Sequence, residues 1–135
     1  DLIIAGLNPP AYLKRTARGH KNIRIIENPS AEEMDRLISQ AQVNILITFQ
    51  ATGLKLKLLN TLFTGRFLLV NSAMLNGTGL SELCDIADTP GHLRAVLTRL
   101  KDKAFEEQEI DRRRKVLAGQ YSNRVNADRL IKYIF

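Results

Sequence analysis

Residues 48–70 read TFQATGLKLKLLNTLFTGRFLLV, and this stretch decides how the chain is organised. It predicts the end of a buried strand, a Gly-containing turn, an apolar helix over 54–64 that opens on Lys55 and Lys57, a terminating Gly65, and a second buried strand over 67–70. A helix start concentrates backbone N–H groups and the positive end of the dipole. Two lysines there are electrostatically misplaced unless an anion is expected. Lys57, Asn60 and Thr64 fall at i, i+3 and i+7 on one face, while Leu54, Leu58, Leu59, Leu62 and Phe63 supply the packing face. Thr52 and Gly53 stand at the cap, where a hydroxyl and bare backbone can meet a phosphate.

The same alternation of short apolar runs and amphipathic segments extends on both sides. Upstream, strands are expected over 2–5, 23–26 and 43–48, with helices over 11–18 and about 31–41. Ser30-Ala31-Glu32-Glu33 has capping-box spacing ahead of Met34, Leu37, Ile38 and Ala41. Downstream, the loop 71–79 leads to a short helix near 80–83, a weak fifth strand over 85–88, a helix begun by Thr89-Pro90, and two more over 103–118 and 123–134. The expected fold class is α/β: a Rossmann-like parallel sheet of about five strands in the order 2-1-3-4-5, with helices on both faces and a ligand crevice at the switch point. The chain of 135 residues is expected to form one such domain over 1–135. It begins without methionine, directly in a strand-like run, which suggests a piece of a longer protein.

Composition narrows the function. Hydrophobic residues at 44% and charged residues at 25% indicate a globular chain rather than a disordered one. A net charge of +6 favours anionic ligands, among them sugar nucleotides, nucleic acid and acidic lipid heads. The single Cys84 excludes an intrachain disulfide, fits a reducing cytoplasm, and reads as buried filler.

Several chemistries fall away. The turn Ala5-Gly6-Leu7-Asn8 lacks the glycines of a dinucleotide fingerprint, and no Gly-Lys-Ser/Thr closes a phosphate loop. His20 and His92 have no carboxylate or cysteine at ligand spacing, so no metal is expected. Arg112-Arg113-Arg114-Lys115 follows acidic residues on the same helix and is either a solvated face or a nucleic-acid patch. With three Tyr and five Phe, mostly at core-like positions, a base-stacking surface is not expected. Asn76-Gly77-Thr78-Gly79-Leu80, after the next strand, either lets backbone approach a ligand or makes a tight turn.

The constellation resembles the nucleotide-sugar-binding C-terminal domain of GT-B-fold bacterial glycosyltransferases. Gly53-Leu54-Lys55-Leu56-Lys57-Leu58-Leu59-Asn60 is similar to that family's Gly-x-Arg-x-Lys-x-Leu-Glu run, with Gly65, the strand 67–70 and Gly77-Thr78-Gly79-Leu80 in the family's order. The resemblance implies that Lys55 and Lys57 face the diphosphate of a nucleotide diphosphate sugar. It further implies that Thr52, Gly53, Asn60 and residues Asn76, Gly77, Thr78, Gly79 and Leu80 line the donor pocket, and that no cofactor or metal is used. Asn60 departs from the family's ribose-binding glutamate. The implied partner is an acceptor-binding N-terminal domain of the same protein, with no nucleic acid. The implied setting is the cytoplasm, at the inner face of the membrane if the full-length protein associates with it peripherally. Implied function is hexose transfer in cell-surface polysaccharide or glycoconjugate synthesis. Two alternatives stand beside it: a degenerate, non-catalytic interaction domain of the same fold, and a basic nucleic-acid-binding module. No catalytic residue is assigned.

Overall fold

The computed structural model describes residues 1–50 and 55–134. They fall into two compact units, residues 1–39 and 40–135. The chain is α/β with parallel strands throughout.

The first unit holds strand β1 (Leu2–Gly6), helix α1 (Ala11–Arg18), strand β2 (Ile23–Glu27) and helix α2 (Ala31–Gln40). β1 and β2 pair in parallel from Leu2↔Ile23 to Gly6↔Glu27. The turns that follow them meet, because the Asn8 amide donates to Asn28 Oδ1 at 2.8 Å and the Asn28 amide to the Gly6 carbonyl at 2.9 Å. Both asparagines have positive φ, a conformation their short polar side chains tolerate. The capping box before α2 forms by half. Glu33 N–H donates to Ser30 Oγ at 3.1 Å, while the hydroxyl turns to Glu32 Oε2 at 3.0 Å. Of this unit's apolar side chains only Ala17 is fully buried.

The second unit carries the core. Strands β3 (Val43–Leu46), β4 (Phe67–Val70) and β5 (Asp85–Ile86) form a parallel three-stranded sheet in that order. Around them run helices α3 (Leu56–Thr64), α4 (Ser72–Leu75), α5 (Pro90–Leu100), α6 (Glu107–Gln120) and α7 (Asn123–Ile134), with a 3-10 turn at Ser81–Leu83. All four β4 residues are buried, which accounts for the unbroken apolar run. Leu58 and Leu62 of α3 pack with Leu68, Val70, Met74, Leu80, Leu83 and Leu117. Each such leucine contributes about 1.5–3 kcal/mol by leaving water. Thr89 Oγ caps α5 by accepting from the His92 amide at 3.2 Å.

Several sequence expectations change. The strands form a two-stranded and a three-stranded sheet instead of one sheet in the order 2-1-3-4-5. Strand–helix alternation fixes parallel pairing of neighbours in a β-α-β unit, but it contains no term that pairs β1 with β3. β5 ends at Ile86 instead of Asp88, because its partner β4 ends at Val70, which pairs with Ile86 and takes only the Ala87 amide beyond it, at 2.8 Å. Phe63 is exposed, and Thr61 takes the packing position expected of it. Nor are Arg112 to Lys115 one solvated face: Arg113 is only 4% exposed.

Candidate functional site

In a parallel sheet the carboxyl edge is where strands hand over to helix starts, so ligand groups gather there. Here that edge is drawn together by side chains. Asn71, just after β4, donates from Nδ2 to the Thr48 carbonyl at 2.7 Å, and its Oδ1 accepts from the Thr48 amide at 3.1 Å. Asp88, just after β5, accepts from the Ser72 amide at 2.7 Å and the Ser72 hydroxyl at 2.6 Å. Those bonds hold the Asp88 carboxyl below its usual pKa, its small desolvation opposing them and His92 adding to them.

α3 leaves this edge through the segment that carries the lysines. Thr52 and Gly53, at the expected cap, lie outside the described residues. Lys55 precedes the helix as its N-cap, is buried, and donates from Nζ to the Gln50 carbonyl at 3.0 Å. Its ammonium is therefore tied to a backbone carbonyl. Lys57 is exposed in the first helical turn, where no acidic residue stands. Asn60 is exposed one turn further on, and Thr64 Oγ donates to the Asn60 carbonyl at 2.9 Å. The expected polar face of 57, 60 and 64 thus reaches solvent as one strip.

The glycine loop is turned on itself. Gly77 and Gly79 have φ of 73° and 65°, which glycine adopts without strain. Thr78 donates from both its amide and its hydroxyl to the Leu75 carbonyl, at 3.0 and 2.8 Å, and its own carbonyl accepts from the Tyr121 hydroxyl at 2.8 Å. Asn76, Gly77 and Gly79 are exposed, whereas the Leu80 side chain is fully buried in the core. The loop can therefore offer backbone at the glycines, with Thr78 and Leu80 as its anchors.

Arg113 is the functional-looking residue that the sequence reading passed over. From α6 its Nη1 donates to the Gly65 carbonyl at 2.8 Å and its Nη2 to the Arg66 carbonyl at 2.5 Å, while the guanidinium stacks 5.2 Å from the Phe105 ring. Nε, also buried, has no hydrogen-bond partner among the described residues. Burial lowers the Arg113 pKa, with Glu109 and Cys84 opposing the shift. The group is a structural clamp on the turn that ends α3. The signal for it was present: Ile110, Arg113 and Leu117 fall at i, i+3 and i+7, on the buried stripe of α6.

A groove of about 480 Å³ lies between Glu82 and the α6 residues Gln108, Asp111, Arg112, Lys115 and Val116. None of the donor-site residues lines it, and its charges are mixed, so the carboxyl edge is the better candidate. Among the described residues no group of three or more His, Cys, Asp or Glu could hold a metal ion, and no helix is long and apolar enough to cross a membrane. The chain matches no protein-family model, no curated protein and no solved structure.

Proposed function

We propose that this chain is the donor-binding part of a GT-B-type glycosyltransferase, Rossmann-like in architecture, that holds a nucleotide diphosphate sugar for hexose transfer in surface-polysaccharide or glycoconjugate synthesis. One observation carries the reading. The start of α3, with Lys57 in its first turn and no acid there, follows β3 at the carboxyl edge of a parallel sheet, where the next strand delivers Gly77 and Gly79. Backbone N–H groups, dipole and lysine together suit a diphosphate. Charge accumulating on a departing diphosphate would be stabilised by the same groups, which is the electrostatic part of glycosyl transfer. Asn60, one turn along, can hydrogen-bond a ribose hydroxyl without charge. Acceptor binding falls to another domain of the full-length protein. Calorimetric titration with uridine and guanosine diphosphates, with Lys57→Ala as control, tests the reading.

A second reading, a non-catalytic interaction domain of the same architecture, is favoured by Lys55 and Thr78. Both turn their polar groups inward, to the Gln50 and Leu75 carbonyls. Restoring a carboxylate with Asn60→Glu in the full-length protein separates the two. A gain in donor turnover favours a decayed site, and a loss favours an adapted one.

A further inference from the structure

The first unit separates its charges along the chain. No acidic residue occurs between Leu2 and Ile26, a span that holds Lys14, Arg15, Arg18, Lys21 and Arg24, while Glu27, Glu32, Glu33 and Asp35 follow together. Lys14 is paired with Glu27. That pair sets α1 on the face of β2 that carries Ile23, Ile25 and Glu27, and because successive strand residues alternate, Arg24 lies on the other face. Arg15, Arg18 and Lys21 are exposed and enter no ion pair among the described residues.

On α1 the two arginines line up with an aromatic ring. The packing side of the helix holds the half-buried Leu13 and the buried Ala17, and at about 100° per residue Arg15 points directly away from the midpoint between them. Tyr12 and Arg18, three residues before and after Arg15, lie about 60° to either side of it. Tyr12 is 66% exposed. Lys21 follows on the turn in which the Ile23 amide donates to the His20 carbonyl at 3.1 Å. The dipole of α1 favours Arg15 and Arg18 in its last turn, but it satisfies none of their N–H donors.

Chemistry chooses among anionic partners. One guanidinium is enough for one phosphate, whereas three cations between positions 15 and 21 suit a chain of phosphates. Apart from Ala11 this face has no aliphatic side chain to bury in an acyl layer, so a bilayer would gain only charge from it. The tyrosine ring beside the arginines offers a plane to an unstacked base, as a single strand presents. We propose that the exposed face of α1 binds single-stranded nucleic acid, with the Tyr12 ring on a base and Arg15, Arg18 and Lys21 on its phosphates. The inference is independent of the donor site, because α1 contributes no residue to it.

The test is fluorescence anisotropy of a short labelled oligothymidylate titrated with the chain. Log affinity should fall against log salt with a slope of about −2, the value for three phosphate contacts on a single strand. Tyr12→Ala should weaken binding about tenfold, whereas Tyr12→Phe, which keeps the ring, should not. Arg15→Gln with Arg18→Gln should reduce the slope to about −0.7. Arg114→Gln with Lys115→Gln, an equal loss of charge on α6, should leave the affinity within about twofold. As Tyr12, Arg15 and Arg18 are exposed, the thermal midpoint should hold in their variants. No binding at low salt, equal binding by Tyr12→Ala, an unchanged slope in the Arg15/Arg18 variant or an equal loss in the α6 variant would each overturn the inference. So would tighter binding of a duplex, of polyglutamate or of phosphatidylglycerol vesicles than of the oligothymidylate.

Discussion

The side-chain amide of Asn71 makes both of its hydrogen bonds to the backbone of Thr48, one as donor and one as acceptor. Beyond the last paired residues, Leu46 and Val70, it continues the β3–β4 ladder with a side chain in place of a strand. The spacing of the two carboxyl ends, and hence of the loops that leave them, depends on this pair.

Asn71→Ala should therefore destabilise the fold by about 1–3 kcal/mol, the range for leaving part-buried backbone groups unpaired. Asn71→Asp, which keeps the acceptor and loses the donor, should cost less than the alanine. Urea denaturation of both variants checks the order, and equal losses would mean that the bond Asn71 accepts from the Thr48 amide contributes nothing.

Gly65 is required by crowding. Its φ is −88°, open to any residue, but an added Cβ would lie 2.7 Å from Asn44 Nδ2 and 2.9 Å from the Thr61 carbonyl oxygen. Gly65→Ala should cost about 1–3 kcal/mol through overpacking. Gly77→Ala has open space and a positive φ, so its smaller penalty, about 1–2 kcal/mol, comes from the backbone alone. Thermal unfolding of the pair separates the two causes.

Arg113→Lys keeps the charge and loses the fork that holds two successive carbonyls. It should lower stability by about 2–3 kcal/mol, and Arg113→Met by a similar amount or more. Chemical denaturation measures both. Unchanged midpoints would show that the turn 65–66 needs no clamp.

These residues mark what the sequence could convey. The elements were legible because apolar periodicity is a local signal: the unbroken 67–70 run, the stripe 93, 96, 97 and 100, and the Thr89-Pro90 start all correspond to what forms. Division into two sheets was not legible, since pairing of β1 with a distant strand is a long-range property that no local pattern encodes. In the candidate site, the exposed strip of Lys57, Asn60 and Thr64 followed from helical spacing, but the inward turn of Lys55 did not. A lysine's long stem lets its head reach carbonyls several residues away, so position alone does not fix its direction. Arg113 was hidden by its neighbours in a charge run, although its place between Ile110 and Leu117 carried the signal.

Two titrations give opposite pH limits. Burial, partly offset by Arg113 and reinforced by Asp85, pushes the Cys84 thiol up from 9.0 to about 11. The folded state then holds the proton more tightly than the unfolded one, so stability is complete below about pH 9 and falls as pH rises toward 11. Asp88 is shifted down from 3.8 by its bonds to Ser72, so its contribution is complete above the unfolded value and is lost as pH falls through the folded one. Cys84→Ala should flatten the alkaline limb of a stability profile, and Asp88→Asn the acid limb. A profile indifferent to both substitutions would contradict these assignments.

The most direct test of the central claim is calorimetric titration of the chain with uridine and guanosine diphosphates, repeated on Lys57→Ala. One of the two nucleotides should bind, and the variant should bind it about tenfold more weakly, as the loss of one charge-assisted contact implies, with an unchanged thermal midpoint. Binding of neither nucleotide, or equal affinity in Lys57→Ala, would contradict the assignment of the α3 start as a diphosphate site.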